Sequence, residues 1–266
     1  WPLPAMAPLA LTLALLAMTV ATAVTKGLPL DMAQDSFDDQ YRGCGPAMAE
    51  ALPALNRSEF QKNPLFARVW PKAVVEWQKK GSPLSPLSPP QAIALMAYTM
   101  NDLYQEFNTA VRKAGRSRQE YRDNFHFKTL HFLLTDALAT LKSKEKQKCR
   151  CVFRGVTGTL FTVQPGQRVR FGQFASSSLC RDVAKKTFGK DVVFQVNTCH
   201  GAAIQKFSKF KEEKEVLIPP FETFNVTNVT LEENRQWIYL NSTETCSKYN
   251  CEYLRGDTAG TALGTP

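Results

Sequence analysis

The chain has 266 residues, with 33 basic against 24 acidic side chains and a formal charge of +9. It is long enough to bury a substantial core as one large domain or two small ones. Its apolar content of 44% and its mixed, unblocked charge exclude a disordered or low-complexity chain.

Residues 9–18 form an apolar run, and the small residues Ala21, Thr22 and Ala23 follow it. This predicts a signal peptide over 1–23 with an A-x-A cleavage site, although a basic n-region is missing and Met6 is the natural initiator. The run is shorter than the ~20 residues that a transmembrane span needs. Residues 24–254 are expected to form the folded part, with 255–266 a flexible tail.

From 31 to 141 the pattern is mainly helical. Leu103, Phe107, Ala110, Val111 and Ala114 fall on one helical face that Gly115 is placed to end, and Phe127, Leu130, Leu134, Leu138 and Leu141 repeat the spacing. Residues 82–90, with four prolines, predict a loop. After a charged connector at 142–148 the texture changes to short β-type runs, at 152–153, 160–163, 169–174, 192–196, 216–218, 221–226 and 237–240. Helices followed by strands predict an α+β fold and not a βαβ alternation. There is no GxGxxG, no P-loop and no G-x-S-x-G, so a Rossmann dehydrogenase or a serine hydrolase has no support.

Seven cysteines behind an export signal favour disulfides, and an odd count leaves at least one thiol free or paired between chains. Cys149-Arg150-Cys151 lacks the second pair or nearby histidines of a zinc site. Asn56, Asn225, Asn228 and Asn241 open N-x-S/T sequons. Basic residues concentrate at 142–154 and 206–214 without a nucleic-acid-reading motif, which reads as a solvated basic face.

Three segments carry chemistry. Phe153-Arg154-Gly155 ends a β-type run, Phe174-Ala175-Ser176-Ser177-Ser178 follows another, and Glu213-Lys214-Glu215 leads into Val216-Leu217-Ile218-Pro219-Pro220. If Glu213 and Glu215 are extended, both carboxylates point to one face. An arginine fork suits an anionic ligand, and paired carboxylates suit a reaction through a sugar cation. The alternative is a charged loop with no chemistry. His126, His131 and His200 are scattered, and His131 reads as a packed structural residue.

In this order the segments resemble the R-S-E signature of the arginine-specific ecto-ADP-ribosyltransferases. The likeness extends to Ser36-Phe37-Asp38-Asp39-Gln40-Tyr41 with Gly43-Cys44, to the block 127–132, to Phe171-Gly172-Gln173-Phe174 and to Tyr249-Asn250-Cys251-Glu252-Tyr253. It implies a helical N-terminal part and a strand-rich split β-sandwich with NAD⁺ in the cleft. It implies NAD⁺ as co-substrate, with NADP⁺ an alternative, no bound cofactor or metal, and disulfides Cys44–Cys251 and Cys149–Cys199. Arg154 and the backbone of Gly155 would hold the dinucleotide, Ser176 would orient a carboxylate, Glu215 would stabilise the ribosyl cation, and Glu213 would engage an acceptor guanidinium. Tyr98, Gln173 and Ser208 match positions near NAD⁺. The expected product is a secreted mono-ADP-ribosyltransferase acting on arginine-bearing extracellular or secretory-pathway proteins, without nucleic-acid partners, without a membrane span in the mature chain and without the apolar glycolipid-attachment signal of several relatives. An NAD⁺ glycohydrolase on the same fold and a catalytically silent binding domain are the rival readings.

Overall fold

The computed structural model describes residues 27–81, 85–185 and 189–256. The expected leader at 1–23 lies outside the described residues, as does all but the start of the expected tail at 255–266, where Arg255 closes a 3-10 turn. In chain order, the short strand β1 (Leu28–Pro29) precedes six helices: α1 (Gly45–Lys62), α2 (Pro64–Lys79), α3 (Pro89–Thr99), α4 (Tyr104–Ala114), α5 (Arg118–Asn124) and α6 (Lys128–Lys144). Then come β2 (Arg150–Val156), β3 (Phe161–Thr162), β4 (Arg168–Val169), β5 (Ala175–Ser178), the single turn α7 (Arg181–Val183), β6 (Val192–Thr198), β7 (Ala202–Ala203), β8 (Glu215–Ile218), β9 (Glu222–Glu232) and β10 (Arg235–Thr245). The arrangement is α+β.

Local chemistry sets the helix starts. The Asn63 side chain accepts from the backbone of Phe66 at 3.0 Å, with Pro64 at the first helical position of α2. Ser88 and Gln91 form a capping box on α3, and Ser117 accepts from Glu120 N on α5. The start of α6 has no cap of its own. Glu59 of α1 supplies one, accepting from the backbone of Lys128 at 2.5 Å and of Thr129 at 2.9 Å. The Phe107, Val111 and Ala114 stripe of α4 is buried as its spacing predicts. Gly115 ends that helix where the chain at 35–37 crosses it. A Cβ there would lie 2.0 Å from the carbonyl oxygen of Ser36.

The strands form a mixed sheet in the order β4-β9-β10-β6-β2-β5-β8-β7, beside a two-stranded parallel pair of β1 and β3. The sheet has a weak seam. β2 pairs with β6 over seven positions, but with β5 only through Phe153 and Ser178. Two halves therefore meet at one point, and this is the split of the sandwich. Helical and sheet cores lie on either side of β8, whose alternation places Leu217 in the helical core while Val216 and Ile218 enter the sheet core.

Three sequence expectations change. The run 169–174 is not one strand. Only Val169 pairs in β4, Gly172 takes a positive φ of 63°, and the chain turns to enter β5. The reason is Arg170, whose side chain is 1% exposed and bonded inward. The serine cluster itself is the strand β5. The β9–β10 hairpin runs well past its apolar part, because Glu233 and Asn234 both take positive φ, the backbone of a tight two-residue turn.

The acidic pair in the N-terminal block proves to be a clamp. Asp38 receives Arg170 Nη1 at 2.7 Å and the backbone N–H of Lys248 at 2.8 Å. Asp39 receives Tyr41 N, Cys251 N and Glu252 N at 2.7–2.9 Å. The remaining Arg170 donors reach the carbonyls of Met32, Ala33 and Cys246. Beside this clamp Cys44 is bonded to Cys251, 207 residues apart, and Cys149 to Cys199 braces the loop after β6. These are the pairs that the resemblance implies. Cys151, Cys180 and Cys246 are free thiols. His131 is fully buried, between the Tyr41 hydroxyl at 2.8 Å and the Phe37 carbonyl at 3.3 Å. Burial pulls its imidazole down to about 3, so it is a neutral structural group.

Removing Asp38 leaves a buried guanidinium without its counter-charge. Asp38→Ala should therefore cost about 3–5 kcal/mol in denaturant unfolding. A loss below about 1 kcal/mol would show that the pair does not hold the two ends together.

Candidate active site

The seam between β2 and β5 opens into a cleft of about 690 Å³, a size typical of small-molecule sites. It gathers Arg154 and Gly155 from β2, Ser176 from β5, Glu215 from β8, Glu213 from the preceding turn and Tyr98 from α3. Residues far apart in sequence meet because the ladder fails just after Phe153.

Arg154 spans the gap. Its Nη1 donates to the Ser176 carbonyl oxygen at 2.7 Å, and the guanidinium lies 5.9 Å from the Phe171 ring. Burial pulls its affinity for the proton below the ordinary arginine range, yet a guanidinium stays charged. Gly155 is needed for a reason other than ligand access. A Cβ would lie 2.2 Å from the Ala184 carbonyl oxygen and 2.3 Å from Gly189 N, so the space is filled by the protein's own backbone.

Glu215 opens β8, is 5% exposed and sits opposite Ser178 in the ladder. Burial pushes its carboxyl up. The Ser176 and Ser208 hydroxyls that face it act in the opposite direction, the Glu213 carboxylate raises it further, and the Arg154 charge lowers it. Ser176 also meets the Tyr98 hydroxyl at 3.5 Å. Tyr98 donates to the Phe174 carbonyl at 3.0 Å and accepts from Asn108 at 3.2 Å, and burial pushes its phenol up to about 12. It is a neutral donor that ties the helical layer to β5.

Glu213 reaches the cleft by a route that the alternation argument does not give. It ends a 3-10 turn (Lys211–Glu213), and Lys214 takes φ 46° and ψ 50° before Glu215 starts the strand. The two glutamates do not share a strand face. The left-handed residue between them turns both into the cleft. Ser178 fixes this turn, donating to the Glu213 carbonyl at 2.6 Å. Burial, and then Glu212, push the Glu213 carboxyl up.

Two expected residues lie off the main cleft. Ser208 is fully buried behind Glu215 and does not line the opening. Gln173 lines an adjoining hollow of about 340 Å³ with Arg112, Arg154 and Tyr98. The cleft also takes in Asn101, Tyr104, Phe210 and Lys190, which no sequence pattern singles out. Phe210 is one of two aromatics, with Phe207, in a lysine-rich stretch.

The family model described as NAD:arginine ADP-ribosyltransferase matches residues 30–248. The chain is 52% identical over 234 residues to the Gallus gallus erythroblast NAD(P)(+)–arginine ADP-ribosyltransferase, covering 86% of this chain and 77% of that protein. It is 48% identical to the human GPI-linked NAD(P)(+)–arginine ADP-ribosyltransferase 1, covering 86% of this chain and 75% of that one. Its structure resembles the crystal structure of the eucaryotic mono-ADP-ribosyltransferase ART2.2 with a TM-score of 0.75 at 35% identity, over 85% of this chain and 99% of that one.

The Gly155 contacts generate a stability test. Gly155→Ala must displace backbone and not a flexible side chain, so it should destabilise the fold by about 1–3 kcal/mol. A thermal melt and the binding of a dinucleotide should weaken together. Unchanged stability would show that the backbone at Ala184 and Gly189 yields.

Proposed function

Because this chain belongs to the NAD:arginine ADP-ribosyltransferase family, we propose that it transfers one ADP-ribose from NAD⁺ to the guanidino group of an arginine side chain and releases nicotinamide. The observation that carries the reading is the meeting of Arg154, Ser176, Glu213 and Glu215 in one cleft at the sheet seam. The names of its relatives admit NADP⁺ as well as NAD⁺, and an ART2.2 variant has been solved with NAD.

In this reading the bond between the ribose C1′ and the nicotinamide nitrogen breaks. Its electron pair goes to nicotinamide, which leaves neutral, and an oxocarbenium-like ribosyl group remains. Arg154 holds the diphosphate or the ribose hydroxyls. Gly155 offers backbone to the carboxamide. The Glu215 carboxylate faces the developing cation from a buried position, where a charge acts strongly. Ser176 and Ser208 keep that carboxylate ionised and aimed. Glu213 takes the proton from the acceptor guanidinium, whose nitrogen then attacks C1′. The two disulfides, together with relatives named as GPI-linked, support a site of action outside the cytosol. The acceptors are then arginine-bearing proteins of the cell surface, the extracellular space or the secretory pathway. No helix among the described residues is long and apolar enough to cross a membrane.

The division of labour is testable. Glu215→Gln should retain NAD⁺ binding and lose transfer and hydrolysis together, by about 100-fold or more. Near-normal nicotinamide release by that variant would overturn its role. Glu213→Gln should largely abolish transfer to an arginine analogue while NAD⁺ hydrolysis persists, read as a change in product ratio. Glu215 works ionised, and its carboxyl lies above the ordinary 4.5. Activity should therefore be full above that raised value and fall as pH drops through it. Removing the Glu213 charge takes away a repulsion, so the acid limb of the remaining hydrolysis should move to lower pH. An acid limb that moves upward would refute the coupling.

A further inference from the structure

The hollow of about 340 Å³ that Gln173 lines adjoins the cleft, and Arg154 and Tyr98 belong to both spaces. Helix α4 brings Asn108 and Arg112 to it, four residues apart on one helical face. Asn108 is 5% exposed. Tyr98 gives its own proton to the Phe174 carbonyl, so it can only accept from Asn108, and this fixes the amide with Nδ2 toward the phenol. Asn108 Oδ1 is left as a buried acceptor with no partner among the described residues. Such atoms are rare in folded proteins, and one at the wall of a hollow marks a place for a donor from outside. Arg112 is exposed, and its Nη2 donates to Thr109 Oγ1 at 3.1 Å. A guanidinium carries five N–H donors, so this bond leaves a fork for an anion. Burial does most to weaken the hold of Arg154 on its proton, and the Arg112 charge adds to it, so the two guanidiniums feel each other. No carboxylate lines the hollow.

Two guanidiniums without an acid call for an anion, and the bare Asn108 oxygen calls for a hydroxyl or amine next to it. A ribose with a phosphate on one oxygen and a free hydroxyl on the next presents both. On the transferase reading above, in which Arg154 meets the diphosphate or a ribose hydroxyl, we infer that the hollow takes the adenosine ribose and that Arg112 reads a phosphate on its 2′ oxygen, with Asn108 Oδ1 accepting from the 3′ hydroxyl. Arg112 is then the residue through which the enzyme uses NADP⁺ as well as NAD⁺. In doubly wound dinucleotide folds an arginine accommodates the same phosphate. NAD⁺ offers a neutral hydroxyl at this place, whereas a phosphate pairs with the fork in charge-assisted bonds, which are about twice as strong.

The test uses the full chain, with a small arginine analogue as acceptor and NADP⁺ or NAD⁺ as donor. R112Q should raise KM for NADP⁺ on the order of tenfold or more and leave KM for NAD⁺ and both kcat values unchanged, because the fork is lost and the reacting bond is not touched. R112K should fall between, since lysine keeps the charge without the fork. Calorimetric titration with 2′-AMP gives a readout without turnover. It should bind the wild type more tightly than adenosine does, and R112Q should remove the difference. An equal rise in KM for both donors overturns the inference, since Arg112 would then serve the diphosphate. So does an unchanged ratio of the two KM values in R112Q, a wild type that turns over NAD⁺ but not NADP⁺, or equal affinity of the wild type for 2′-AMP and adenosine. If neither donor is turned over, the transferase reading fails, and the 2′-AMP titration still decides the hollow.

Discussion

The hydrogen bond from Arg154 to the Ser176 carbonyl marks the place on which the site depends. A β-sheet satisfies its backbone by continuous pairing, and a gap in the ladder leaves polar groups to be met some other way. Here the gap follows a single pair, Phe153 with Ser178. A side chain takes over one carbonyl, and the same guanidinium remains at the cleft wall with its other donors available to a ligand. The sheet's discontinuity and the group proposed to hold an anion are thus joined in one side chain.

The carboxylates work against their surroundings. Glu215 is nearly inaccessible, and burial alone would favour its neutral form. Arg154 and two serine hydroxyls oppose that tendency, while Glu213 adds to it. On the proposed reading, a carboxylate flanked by a few fixed groups in a buried wall is preorganised for a cation that exists only transiently. The same balance explains why Glu213 sits on a turn at the rim, half-buried, and not on the strand. Two fully buried carboxylates side by side would repel and one would protonate.

Much of the remaining sequence resemblance serves the frame. Asp38 and Asp39 bind the segment 248–252, Glu59 caps α6, and Glu222 accepts from Thr198, Cys199, His200 and Ser242. These buried acids each satisfy several donors and none of them lines the cleft. They hold loops whose backbones would otherwise be unpaired, including the loop closed by Cys149 and Cys199.

The sequence by itself determined the α-before-β order, the buried face of α4, the segments that meet at the site and, through the family likeness, the disulfide pairs. These are legible because periodicity, capping residues and motif order are local or linear properties. The tertiary structure decided the rest. The alternation of Glu213 and Glu215 suggests one strand face, but the left-handed Lys214 and the Ser178 bond place them otherwise. The run 169–174 reads as a strand, but the buried Arg170 turns it. Gly155 reads as a backbone contact for the dinucleotide, but what its missing side chain makes room for is the backbone at 184 and 189. Each case turns on a partner distant in sequence, and pairing between distant segments is set by which donors, charges and volumes fit once the layers pack.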